Sequence, residues 1–218
     1  MLKTTTVAVL AILATPVLAA DLVIPSSPEP IYEDAGFDWS GAYIGAWIGG
    51  QGVRLFAPGE GTIEGTGALG GVFAGFNAQS GNLVFGGEAD VDYSGFNGAR
   101  ACGNPLWTCR GYVNSQGSAR ARFGVAVDTL LFYGTAGVAL GNAGGSTTSP
   151  AGVVFSDASV RVGYTVGAGV EMAFSDNLTG RLEYRYTNLG ARNMNFDVVY
   201  PNVEVSSHTV RAGLAYKF

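Results

Sequence analysis

Gly180-Arg181-Leu182-Glu183-Tyr184-Arg185-Tyr186 carries a charge at every second position and an apolar side chain after each one. Successive side chains of a strand point to opposite faces, so this stretch has one charged face and one greasy face. Four other stretches obey the same rule. Glu88, Asp90 and Asp92 alternate with Ala89, Val91 and Tyr93. Arg120 and Arg122 alternate with Ala121, Phe123, Val125 and Val127. Arg161 and Glu171 share a phase, opposite Val160, Val162, Tyr164, Val166, Ala168, Val170, Met172 and Phe174. Arg211 and Lys217 face away from Ala212, Leu214, Tyr216 and Phe218. Two architectures produce this pattern: a soluble sheet around a greasy core, or a closed barrel whose greasy side meets lipid.

Three features favour the barrel. The charged phase is filled out with small residues, Gly163, Gly167, Gly169 and Ala173 in one strand and Gly213 and Ala215 in another. Glycine weakens a water-exposed strand, but in a narrow lumen it makes room for a neighbouring arginine. Tyr93, Phe174, Tyr186, Tyr216 and Phe218 lie near strand ends on the greasy phase, where interfacial aromatic girdles form. The sequence reaches Phe218 within a strand-like segment. A soluble periplasmic sandwich is the structural runner-up.

Eight strand-like segments follow one another at 39–50, 68–78, 83–93, 115–127, 130–142, 158–174, 178–190 and 207–218. The connections alternate between long (51–67, 94–114, 143–157, 191–206) and short, the short ones carrying the hairpin residues Ser80-Gly81-Asn82, Asp128-Thr129 and Ser175-Asp176-Asn177. Outer-membrane barrels have short periplasmic turns and long outer loops. The expected fold is therefore all-β, an eight-stranded antiparallel up-and-down transmembrane β-barrel over 39–218, with both termini periplasmic.

Residues 1–19 form a secretory signal peptide: Lys3, an apolar run from Val7 to Ala14, Pro16, and small residues before a cut after Ala19. Residues 20–38 form a flexible periplasmic tail, rich in proline (Pro25, Pro28, Pro30) and acid (Glu29, Glu33, Asp34, Asp38). The formal charge is −5, and the leader takes one further positive charge away with it. A nucleic-acid binder would be basic, so that class is set aside. No mature stretch is apolar enough for a membrane helix, which leaves a barrel as the only means of crossing.

The ending Val210-Arg211-Ala212-Gly213-Leu214-Ala215-Tyr216-Lys217-Phe218 resembles the C-terminal signal of bacterial outer-membrane proteins. The opening Trp39-Ser40-Gly41-Ala42-Tyr43-Ile44-Gly45 resembles the first strand of the small outer-membrane surface antigens of alphaproteobacteria, opacity-type porin-family relatives of the OmpA membrane domain. The resemblance covers 39–218. It implies an assembly signal at Leu214, Tyr216 and Phe218 read by the barrel-assembly machinery, and contact with outer-membrane lipid and lipopolysaccharide. It also implies peptidoglycan attachment at Ala20, the first residue after the cut, since some relatives are joined through an N-terminal Ala-Asp. Unlike OmpA, the chain is expected to lack a C-terminal peptidoglycan-binding domain.

An eight-stranded barrel is only wide enough inside for side chains to fill it. The inward charges would be Glu88, Asp90, Asp92, Glu171 and Glu183 against Arg120, Arg122, Arg161, Arg181, Arg185, Arg211 and Lys217. Buried charges must pair, so a salt-bridge ladder plugging the lumen is expected. That argues against a wide pore and leaves a narrow passive transport channel as the alternative function. Cys102 and Cys109 are expected to form a disulfide in an oxidising compartment; with no histidine or further cysteine near, no metal site is expected there. His208, the only histidine, lacks the His-x-Ser pattern of lipid A deacylase barrels, which makes a lipid-modifying enzyme a distant third reading. It is the only candidate imidazole for haem, which some relatives bind, but no cofactor and no catalytic residue is expected. The principal reading is a structural surface protein supporting envelope integrity, its oligomeric state and loop partners unspecified.

Overall fold

The computed structural model describes residues 36–218. The signal peptide expected at 1–19, the tail from 20 to 35 and Ala20 lie outside the described residues. Eight strands run in sequence: β1 (Gly41–Ala57), β2 (Gly61–Ser80), β3 (Leu83–Ala101), β4 (Thr108–Val127), β5 (Leu130–Thr148), β6 (Val154–Ala173), β7 (Leu178–Asn195) and β8 (Val199–Lys217). Each pairs antiparallel with the next, and β8 closes on β1 from Tyr43↔Lys217 to Phe56↔Glu204. At one end, two of the turns need only residues 81–82 and 128–129. Gly81 and Asp128 enter these turns with φ of 58° and 52°, the left-handed backbone a two-residue hairpin demands.

The other end departs from expectation. The stretches read as long loops are mostly strand, and the turns shrink to 58–60, 102–107, 149–153 and 196–198. Strands of 17 to 20 residues exceed the roughly 9–11 that hydrocarbon requires. The reason they stay extended is that barrel polarity inverts partway up. In the lower half, charge points in and apolar side chains point out; Ile48, Val72, Val91, Val166, Leu182 and Leu214 are all exposed on the outer wall. In the upper half the interior is apolar: Val53, Leu55, Phe96, Val113, Ala139, Ala143, Leu189 and Val205 form one buried cluster. Their outward neighbours include Arg54, Glu64, Asn97 and Arg110. The upper barrel is thus built like a water-soluble one. Irregularities at Tyr93/Phe96, Val113/Ser115 and Asn188/Ala191 break the ladder where this change occurs. A bulge shifts which residues face inward, so period-two reading fails there.

The upper core makes its own prediction. Val113→Ala removes two buried carbons and should cost about 1.5 kcal/mol, at about 0.8 kcal/mol per buried methylene, in urea unfolding from lipid vesicles. Were 94–114 a solvated loop, the same change would be silent.

The floor of the barrel, at the short-turn end, is apolar as well. Trp39, Val84, Ala126, Leu131 and Tyr133 pack together with Phe37 and Ala173. Phe37 and Trp39 meet edge-on, their ring centroids 4.7 Å apart. The Trp39 amide donates to Gln79 Oε1 at 2.7 Å. Packing therefore begins within the segment assigned above to the tail, at Phe37 and not at Trp39.

Candidate functional site

Between the apolar floor and the apolar upper core lies a belt of ion pairs. β3 contributes Glu88, Asp90 and Asp92, β4 Arg120 and Arg122, β6 Glu171, β7 Arg181, Glu183 and Arg185, and β8 Arg211. Alternation aims each of them inward, and every side chain is 4% exposed or less. Five carboxylates meet five guanidiniums, so the cluster carries no formal net charge. It is continuous. Arg122 joins Glu171 to Glu88, and Arg181 spans the same two acids at 3.4 and 2.5 Å. Arg120 links Glu88, Asp90 (3.3 Å) and Glu183 (2.7 Å). Arg185 holds Asp90 at 2.9 Å and also pairs with Asp92. Arg211 bridges Asp92 at 3.3 Å and Glu183 at 2.6 Å.

Interior aromatics complete the belt. Tyr43 donates to Glu88 and Tyr133 to Glu183, each at 3.0 Å; Trp47 Nε1 donates to Asp92 at 2.5 Å. The Arg211 guanidinium carbon lies 3.2 Å from the Trp47 ring centroid, Arg122 3.8 Å from that of Tyr133, and Arg181 4.0 Å from that of Phe73. Cation–π contact strengthens when both groups are desolvated. Taking ten charges out of water is costly, and only this density of partners offsets it.

Two of the twelve expected lumen charges stand apart from this network. Arg161 faces inward and is buried, but it sits among the upper strands, where its Nη1 donates to the Val203 carbonyl at 2.6 Å. Lys217 lies at the short-turn rim, its amine 4.9 Å from the Phe37 ring centroid. Phase predicts a side chain's face but not its depth. Tyr43, Trp47, Phe73 and Tyr133 were not anticipated inside. β1, β2 and β5 carry no charge in their lower halves to mark the inner phase. The available signal was the opposite phase, an unbroken Ala42, Ile44, Ala46, Ile48.

The remaining candidates lie elsewhere. Cys102 and Cys109 are joined as a disulfide across the β3–β4 tip. Leu214, Tyr216 and Phe218 point outward at the short-turn end of β8. His208 is on the outer wall, its Nδ1 2.7 Å from the Tyr184 hydroxyl and its ring 5.0 Å from that of Tyr186. Among the described residues no cluster of three or more His, Cys, Asp or Glu side chains has metal-binding geometry.

The closed eight-stranded barrel fold is matched by the comparisons. Residues 5–218 fit the family described as "Outer membrane protein beta-barrel domain". The chain belongs to this outer-membrane barrel family. The chain is 35% identical, over an alignment of 232 positions, to the 31 kDa outer-membrane immunogenic protein of Brucella melitensis, covering 95% of this chain and 96% of the relative. It is 33% identical over 184 residues to the 22 kDa outer membrane protein of Rhizobium leguminosarum, covering 82% and 80%. Among solved structures, the outer membrane protein OprG from Pseudomonas aeruginosa superposes with a TM-score of 0.51 at 12% identity, over 84% of this chain and 98% of that one. That likeness concerns the fold alone. The alphaproteobacterial outer-membrane relatives fit the family expected from the sequence.

Proposed function

We propose that this outer-membrane barrel is a structural and surface-presenting protein, not a wide pore and not an enzyme. The observation that carries the reading is the belt of ion pairs filling the lumen between two apolar layers. A passage for solutes would have to break several buried pairs at once. The short turns and both termini face the periplasm, and the long hairpins project from the cell surface, as in other barrels of this kind. There they present the disulfide-braced tip at 102–107 to lipopolysaccharide and to partners outside the cell.

A narrow passive channel is the alternative, and planar-bilayer conductance separates the two. The purified protein should give no large, stable openings; such openings would overturn the plugged reading. A lipid-modifying enzyme is disfavoured because His208 engages a phenol instead of a carboxylate. Leu214, Tyr216 and Phe218 serve assembly by the barrel-assembly machinery, and their outward exposure beside β1 is compatible with that. Attachment to peptidoglycan through Ala20, exposed by cleavage after Ala19, would add a tether to this structural role. Muramidase digestion of whole envelopes should release protein bearing sugar and peptide at its N-terminus; release of an unmodified Ala20 would dismiss the tether.

A further inference from the structure

Among the described residues, Arg161 is the one buried arginine with no carboxylate partner. It is 2% exposed, and a guanidinium cannot shed its proton to escape burial. Its Nη1 donates to the Val203 carbonyl at 2.6 Å. Its Nε and Nη2 are both buried and have no acceptor. These two nitrogens share one edge of the guanidinium, the edge that grips both oxygens of a carboxylate. The ion-pair belt holds no such open edge. Arg120, Arg122, Arg181 and Arg185 leave only Nε without an acceptor, and each turns its Nη groups to the acids.

The strands leave a way to this edge. β6 extends to Val154 and β7 to Asn195, but the ladder between them stops at Tyr164↔Asn188. Above that rung, side chains span the seam. Arg192 Nη1 donates to the Val160 carbonyl at 3.1 Å, and Asp157 Oδ2 accepts from the Asn195 amide at 2.9 Å. Arg161 lies within this unladdered stretch, and the charged groups that bear on it are Arg192 and Asp157. Two cations therefore face one acid. Opposite Arg161 on β5 stands Gly141, where an added Cβ would lie 2.4 Å from Leu189 Cδ1, so the Leu189 side chain walls that side.

We propose that the open edge of Arg161 binds the carboxylate of a small monoanionic solute, which enters from the hairpin end through the seam between β6 and β7. A buried charge must be paired, and one negative charge closes the local balance. A phosphate dianion would overshoot it. Leu189 gives the apolar end of a monocarboxylate a wall to rest against. The belt below is already in balance, five acids against five guanidiniums, so the anion is held at Arg161 and passes no deeper.

Acetate is the probe. The protein, labelled with ¹⁵N at arginine and held in lipid nanodiscs, is titrated with sodium acetate in exchange for sodium chloride at constant ionic strength, and each Nε–H is followed by NMR. The Arg161 resonance should shift and saturate, while those of the exposed Arg54 and Arg110 move at most linearly. Arg161→Met identifies the resonance by its loss. It removes a buried unpaired charge and is expected to fold; should it not, Arg161→Lys identifies the same resonance and the titration of the parent decides. Acetate should also raise the urea midpoint of the parent and leave that of Arg161→Met unchanged, since a ligand stabilises only the state that binds it. Silence at Arg161, with water satisfying its edge, would overturn the proposal. So would an equal response to chloride, saturation by inorganic phosphate at lower concentration than by acetate, or a rise in urea midpoint that survives Arg161→Met.

Discussion

Glu183→Ala should destabilise the barrel by about 3–5 kcal/mol, the range for breaking a buried pair and leaving its partner uncompensated. Glu183 accepts four hydrogen bonds, more than any other acid in the lumen. It accepts from Arg120 at 2.7 Å, from Arg211 at 2.6 and 3.2 Å, and from Tyr133 at 3.0 Å, with no side-chain exposure. Its loss leaves five guanidiniums against four carboxylates: Arg120 keeps Glu88 and Asp90 and Arg211 keeps Asp92, but one positive charge stays uncompensated beneath an apolar layer. Adding Arg211→Leu should recover part of the loss, because the surplus positive charge goes with it, and the two effects should be clearly non-additive. Urea unfolding in lipid vesicles measures both. A loss under 1 kcal/mol for Glu183→Ala would mean that water reaches the cluster freely and that the lumen is not plugged.

Leu182→Arg tests the other face of the same strand. Leu182 neighbours Glu183, is 52% exposed on the outer wall, and pairs across with Val170 and Ala212. Arginine on a lipid-facing wall costs about 2–4 kcal/mol near the bilayer midplane and about 0–1 kcal/mol near the interface. Leu182 shares the barrel's central level with the ion-pair belt, so the larger figure applies. Ser206→Arg, outward but beside Arg54 in the polar upper wall, should cost less than about 0.5 kcal/mol. Equal penalties at the two positions would contradict the inversion of polarity along the strands.

What could be read from sequence depended on where charge marks the pattern. In β3, β4, β7 and β8 the inner phase was legible from Glu88, Arg120, Glu183 and Arg211 alone, since a charge on one face obliges its neighbours to the other. In β1 and β5 the inner residues are Tyr43, Trp47 and Tyr133, which taken singly look like core or girdle aromatics. Arg161 and Lys217 show the limit of the method from the other side: both have the inner phase, yet one sits above the network and the other at the rim. The upper strands were illegible for a stronger reason. Val53 and Leu55 carry the inner phase of β1 into an apolar core while the charge between them, Arg54, faces out, so the sign of the rule reverses. The bulge near Val113 then shifts the phase itself. A reader who assumes one polarity for the whole strand must call these stretches loops.

The central claim is that hydrocarbon surrounds the wall on which Leu182 stands, while water surrounds the wall at Arg54. Its most direct test is accessibility by spin-label EPR, since the two native cysteines are tied to each other and leave an introduced one free to be labelled. In lipid vesicles, a label at Leu182→Cys should collide with oxygen dissolved in the bilayer and be shielded from a water-soluble nickel chelate, and a label at Arg54→Cys should show the reverse. Ready collision of the Leu182→Cys label with the nickel chelate would contradict the account.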